Sequence, residues 1–214
     1  MICISNATLK YTKEFCAINN ISLDIAKGEV VALCGPKDSG KSCLIRLCAG
    51  LEKLTSGEIY IKNIPVSKLD TENDISIGYI PWKGSFFENK TVYENILYVL
   101  KVRKMPKQEH ENIINKLLID YKIEKLKDVK VKDLSMYDRY YVSLARLSVR
   151  KIELLLIDNI FEELDEKETK ALMSVIKKDY VKNGTTIVYA TSDEKVAEAI
   201  STKIVKLRDG VVVK

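Results

Sequence analysis

Histidine and tryptophan occur once each in this 214-residue chain, as His110 and Trp82, and six arginines stand against 29 lysines. A single histidine excludes a multi-histidine metal centre and confines any serine-histidine machinery to residue 110. The scarcity of arginine argues against a nucleic-acid partner, because base and phosphate recognition concentrates bidentate guanidinium groups. Here the lysines are scattered among Asp and Glu, so the net charge of +5 reads as a solvated surface. No run approaches the roughly twenty apolar residues that a membrane span needs. The opening MICISNATLKYTKEF also lacks a basic-then-apolar leader. These absences predict a cytoplasmic protein that reaches a membrane only through a partner. Five cysteines, Cys3, Cys16, Cys34, Cys43 and Cys48, form no CxxC pair, which predicts reduced thiols packed as small apolar groups. What is present is ordinary for a globular chain: 46% hydrophobic and 30% charged residues. At this length, folding hides roughly 70% of the extended surface, enough for one sizeable core.

Residues 2–33 carry three apolar, β-branched runs, ICISNATLKY, AINNISLDI and GEVVALC, which predict strands, the last fully buried. A glycine-bounded loop follows, then KSCLIRLCAGL, whose Leu44, Leu47, Cys48 and Leu51 recur at helical spacing. GEIYIKN and ISIGYI return to strands. From Thr91 to Arg150 the period becomes helical, so residues 82–150 predict a helical subdomain inserted into an α/β core of residues 1–81 and 151–214. ELLLID and TTIVYAT then read as buried strands, and KETKALMSVIKKDYVKNG as a helix closed by Gly184. EKVAEAIS reads as a short helix, and IVKLRDGVVVK as a hairpin through Asp209-Gly210. This alternation predicts an α/β fold with a mostly parallel sheet covered on both faces and the antiparallel strands in a β subdomain at its edge.

The chemistry concentrates in Gly35, Pro36, Lys37, Asp38, Ser39, Gly40, Lys41 and Ser42, which fit G-x-x-x-x-G-K-[ST] between a buried strand and an amphipathic helix. Average residue frequencies put a chance match in such a chain at about 1%. In that setting successive backbone N-H groups turn around a phosphate and the helix aims its positive end at it. Lys41 is placed to neutralise β/γ-phosphates and Ser42 to ligate magnesium. A second acidic ligand is expected at a neighbouring strand end, and Leu154-Leu155-Leu156-Ile157-Asp158 delivers Asp158 to the carboxyl edge of the sheet. The competing reading of Asp158 is a helix N-cap. A guanine-specific switch protein is disfavoured, because Asn89-Lys90-Thr91-Val92 lacks the aspartate of an NKxD motif.

From Ile2 to Lys214 the chain resembles the nucleotide-binding subunit of ATP-binding-cassette (ABC) transporters, a P-loop NTPase with a RecA-like core. GPKDSGKS matches the first nucleotide motif and LLLIDN the second. IGYIPW matches the approach to the glutamine loop, Leu134-Ser135-Met136-Tyr137-Asp138 the signature, Leu164-Asp165 the D-loop and ATSD the switch segment. The resemblance implies ATP and Mg2+ as cofactors, with Tyr11 stacking on adenine and residues 35–42 plus Cys43 binding the nucleotide. It implies Ser42 and Asp158 as metal ligands. It also implies a membrane permease as partner, pairing with a second cassette as homodimer or heterodimer, and a place on the inner face of the membrane. Trp82, Phe86, Phe87 and Tyr93 fall where the family receives a coupling helix; equally, they fill the junction between subdomains.

Four working positions of the family are altered. The glutamate that polarises the attacking water is Asn159, and losing a positioned base typically costs about 10² to 10⁴ in rate. The switch histidine is Ser192, whose arm falls short of a γ-phosphate. The glutamine is Trp82, which has no metal-binding atom. In the signature, Met136 and Tyr137 replace glycines where backbone approaches phosphate, and Asp138 adds negative charge there. The expected result is a subunit that keeps ATP-Mg binding and hydrolyses poorly. An active ATPase in which Glu162 or Glu163 substitutes for the base, and a nucleotide-gated regulator outside transport, are the alternatives.

Overall fold

The computed structural model describes residues 1–12, 14–71 and 73–213. Its first strands are β1 (Ile2–Lys10), β2 (Cys16–Ile25), β3 (Val30–Cys34), β4 (Ser56–Ile61) and β5 (Ile64–Pro65). After them come β6 (Ile77–Ile80), β7 (Leu154–Ile157), β8 (Thr186–Thr191), β9 (Lys203–Arg208) and β10 (Val211–Val213). The helices are α1 (Lys41–Cys48), α2 (Val92–Val102), α3 (His110–Asp120), α4 (Met136–Leu147), α5 (Glu166–Ile176) and α6 (Glu194–Ile200).

Strands β9, β3, β8, β7 and β6 pair in parallel in that order, with β10 antiparallel on the outer side of β9. Alternation along these strands builds two cores. Val30, Ala32 and Cys34 face one, shared with α4, α5 and α6, while Val31 and Leu33 face the other, shared with α1 and the antiparallel strands. Both faces are covered, so β3, β7 and β8 read as continuous apolar runs. Each buried Leu or Ile contributes roughly 1.5–3 kcal/mol.

The antiparallel strands form the expected β subdomain. It is a four-stranded sheet of its own, ordered β2-β1-β4-β5, while β10 edges the parallel sheet. Ile2, Ile4, Ala7 and Leu9 alternate inward against α1, and the other face of β1 takes polar residues, as a half-buried strand requires. A departure lies after α5, where the helix widens into a π-turn over Lys177–Val181 before Gly184, at φ 72°, closes it. The widened turn accompanies the burial of Tyr180, whose hydroxyl donates to Leu144 O at 3.4 Å.

Helix starts follow local chemistry. Thr91 and Glu94 form a reciprocal capping box on α2, and Asp165 and Glu168 another on α5. The β9–β10 hairpin turns through Asp209 (φ 49°) and Gly210 (φ 75°), the left-handed pair of a two-residue turn. The cysteines are all unpaired, but only Cys34 and Cys48 are buried; Cys3 is exposed, and Cys16 and Cys43 are half-buried. Packing as small apolar groups therefore holds for two of the five. His110 is buried and its Nε2 lies 2.9 Å from Met105 O, a structural contact.

Candidate nucleotide-binding site

The loop after β3 is shaped by two glycines. A Cβ on Gly35 would lie 2.1 Å from Leu207 O, so the β9 backbone packs directly against the loop. Gly40 holds φ 97°, and a Cβ there would meet Ala17 O at 2.6 Å. Gly40 caps α1 without any side-chain acceptor, and no acidic residue occupies the first turn. The N-H groups of α1 are thus not claimed by a carboxylate of their own chain. Asp38, at φ 62°, occupies a left-handed position that Asp tolerates better than most residues.

Lys41 is buried and its ammonium donates to Gly35 O at 2.8 Å and Pro36 O at 2.7 Å, folding back inside the loop. Burial lowers its pKa from the ordinary lysine value. Across the floor, Ser42 Oγ donates to Asp158 Oδ1 at 2.6 Å, joining the first turn of α1 to the carboxyl end of β7. Burial pushes the Asp158 carboxyl above its usual value, and the Ser42 hydroxyl opposes that shift. Asn159 donates from Nδ2 to the same Ser42 Oγ at 3.1 Å, while its Oδ1 is buried without a partner.

Residues 37–43, Asp158 and Asn159 line a cleft of about 840 Å³, together with Phe15, Arg46, Tyr79, Pro81, Trp82 and Glu162, while Gly35 and Pro36 lie outside its lining. The oxygens of Ser42 and Asp158, with the orphaned Asn159 carbonyl beside them, form a hard-oxygen set suited to magnesium, which completes its shell with phosphates and water. Among the described residues no cluster of three His, Cys, Asp or Glu offers a protein-only cage. Bound there with a triphosphate, the ion would screen the phosphate charge. Lys41 and the loop amides supply the rest of the positive field.

Sequence reasoning missed several residues of the wall. Phe15 lines the cleft, and Tyr11 stacks behind it with centroids 5.9 Å apart and planes 13° from parallel. The Tyr11 hydroxyl donates to Glu52 Oε2 at 2.7 Å, and burial followed by that carboxylate pushes its pKa up to about 12. Arg46 donates to Glu52 Oε1 at 2.5 Å and reaches Asp158 Oδ2 at 3.9 Å, linking the Tyr11 end of the cleft to its floor. An i, i+4 partner of Ser42 on α1 was the available signal. Trp82 does line the cleft, half-exposed under Lys83 Nζ at 4.5 Å from its ring, whereas Ser192 is exposed and outside the lining.

A family model described as ABC transporter matches residues 18–162. A relative from Psychromonas ingrahamii, an sn-glycerol-3-phosphate import ATP-binding protein, is 36% identical over 210 residues, 98% of this chain and 56% of that protein. This chain belongs to the ABC transporter family. The cassette is also 34% identical to an Fe(3+) ions import ATP-binding protein of Fusobacterium nucleatum, covering 97% of this chain and 55% of the other. It spans about half the length of these curated relatives. Among solved structures, a dimeric bacterial ABC transporter cassette aligns with TM-score 0.88 at 29% identity, covering all of this chain and 97% of that one. A post-hydrolysis dimeric cassette bound to ADP and Pi aligns at TM-score 0.87 and 28% identity, with 100% and 97% covered.

The segment from Leu134 to Asp138, which the resemblance reads as the signature, stands apart from the cleft: none of it lines the cleft. Ser135 caps α4, accepting from Asp138 N at 3.1 Å and donating its hydroxyl to Asp138 Oδ2 at 2.7 Å. Met136 and Tyr137 turn half-buried against the helical core, with the Tyr137 hydroxyl 3.0 Å from that of Tyr141. Arg139 pairs with Glu88 through two bonds of 2.9 and 3.0 Å.

Beneath α2 lies a second concavity, a groove of about 430 Å³ lined by Tyr79, Pro81, Val99, Arg103, Arg146 and Arg150 among others, and by no carboxylate. Phe87 and Tyr98 form an exposed edge-to-face pair, centroids 4.5 Å apart. Phe86 instead lies under Arg146, 5.4 Å from its ring, so the aromatic stretch divides between exposed surface and junction. No helix among the described residues is long and apolar enough to cross a membrane.

Proposed function

We propose that this chain is the ATP-binding subunit of an ABC-type membrane complex, holding ATP-Mg between residues 35–43 and Asp158 and hydrolysing it poorly. The observation that carries this reading is the partly buried Ser42–Asp158 pair at 2.6 Å beside Lys41, under a helix N-terminus free of its own acids. The nucleotide elements are assembled, while Asn159, Ser192 and Trp82 stand where the resemblance places base, switch and sensor. An amide cannot take a proton from water, and the Ser192 side chain lies outside the cleft lining. Within this reading, residues 1–81 and 151–214 form the nucleotide core and residues 82–150 the helical subdomain.

The partner surface is the groove beneath α2. Its apolar walls and three of the chain's six arginines suit an amphipathic segment of a permease that carries acidic residues. Such docking sets the chain on the inner face of a membrane. Ser135 and Asp138 satisfy one another, so the second cassette that fits this chain is one whose own signature helix remains open. An active ATPase is the second reading, favoured by one observation: the Glu162 carboxylate belongs to a residue lining the cleft.

Phosphate release by the purified chain separates the two. Turnover near one per second, an ordinary enzyme rate, abolished by Lys41→Ala, would establish the active enzyme; ATP-Mg binding with turnover at least about a hundredfold slower supports the proposal.

A further inference from the structure

Ser42 has one hydroxyl proton, and it goes to Asp158 Oδ1 at 2.6 Å, because an ionised carboxylate offers only acceptors. The 3.1 Å contact between Ser42 Oγ and Asn159 must then run the opposite way, with the amide nitrogen donating. This direction settles which end of the amide is which. The Asn159 carbonyl oxygen is left buried and unpartnered in a residue that lines the cleft. A buried acceptor without a donor is costly, and the backbone at φ 50° adds strain that asparagine is among the best residues to tolerate. A glutamate could not replace this contact, since its carboxylate has no hydrogen to give to Ser42.

We propose that Asn159 is a positioning residue of the cation site, not merely a missing base. Its N-H group holds Ser42 Oγ so that the second lone pair of that oxygen stays available to magnesium. Its carbonyl oxygen waits for a donor that a water in the metal's shell supplies. The exchange that removes proton transfer from this position thus strengthens retention of the metal-bound nucleotide. The inference rests on the nucleotide-binding reading above.

The test titrates the purified chain with Mg2+ at fixed ATP, following Trp82 fluorescence, and separately measures ATP affinity in EDTA. Asn159→Gly removes both ends of the amide and accepts φ 50° without steric cost. The expected result is a Mg2+ half-saturation raised about 10- to 100-fold, as for lost partners of metal ligands, with ATP affinity in EDTA unchanged. Asn159→Ser, which keeps a short polar side chain, is expected to behave alike and serves if the glycine variant loses its melting transition. An unchanged Mg2+ half-saturation, or equal weakening with and without the metal, overturns the inference. A wild-type chain that ignores ATP at every Mg2+ concentration overturns the nucleotide-binding reading itself, and this inference with it.

Discussion

The N-terminus of α1 and that of α4 make opposite uses of the same backbone geometry. Each presents N-H groups that its own helix cannot satisfy. At α1 the cap is Gly40, with no side-chain acceptor and no acid in the first turn. At α4 the cap is Ser135, and Asp138 supplies a carboxylate three residues on. One end is left for an anion from outside, while the other carries its own. The difference teaches that anion binding at a helix start depends on what the first turn withholds as much as on what it offers.

The comparison breaks most visibly at Lys41. Lys41→Ala removes the only ammonium held inside the loop and is expected to weaken ATP binding about 100-fold, read by Trp82 fluorescence. Asp138→Ala, at the other helix, should leave that binding unchanged. Next in size is Gly40→Ala, which places a Cβ 2.6 Å from Ala17 O at φ 97°. A cost of about 2–3 kcal/mol should lower the melting temperature by about 4–12 °C. Ser135→Ala sharpens the contrast, since α4 depends on a side-chain cap that α1 lacks; a loss of about 1 kcal/mol is expected from denaturant unfolding.

Asp158→Asn tests the floor of the cleft with two readouts of opposite sign. Burial raises the Asp158 pKa in the folded chain, so the folded state binds more protons than the unfolded state between the two pKa values. Stability from this group therefore falls as pH rises from its ordinary value of 3.8 through the raised one. At pH 7 the neutral variant should melt higher than wild type while losing the Mg2+ dependence of ATP binding. The smallest effect is expected from Asp38→Gly, which relieves φ 62° and removes a negative charge from the cleft wall. ATP should bind about three times more tightly, with the gain shrinking as salt is added.

The parallel sheet was legible because β3, β7 and β8 are unbroken apolar runs, and the loop because its glycines and Lys41 recur at a spacing phosphate demands. Asp158 was legible for the same reason: four apolar residues carry it to the sheet's edge. The antiparallel β subdomain was legible as short alternating strands, but its strand order was not, since pairing of β1 with β4 joins residues about fifty positions apart and no local pattern encodes it. Tyr11 announced itself as an aromatic, but which ring meets the cleft depends on the chain's path from Tyr11 to Phe15. The inward turn of Tyr137 was equally hidden, because its hydroxyl partner Tyr141 lies one helical turn away among several tyrosines. Opposed donor and acceptor roles at Ser42 and Asn159 emerge only from distances.

Tyr79 and Pro81 border both concavities, the one holding Asp158 and the one beneath α2. Burial, then the nearby Asp158 charge, pushes the Tyr79 phenol up to about 12. A helix pressed into the outer chamber and a phosphate chain laid in the inner one would therefore share Tyr79 and Pro81 as common wall.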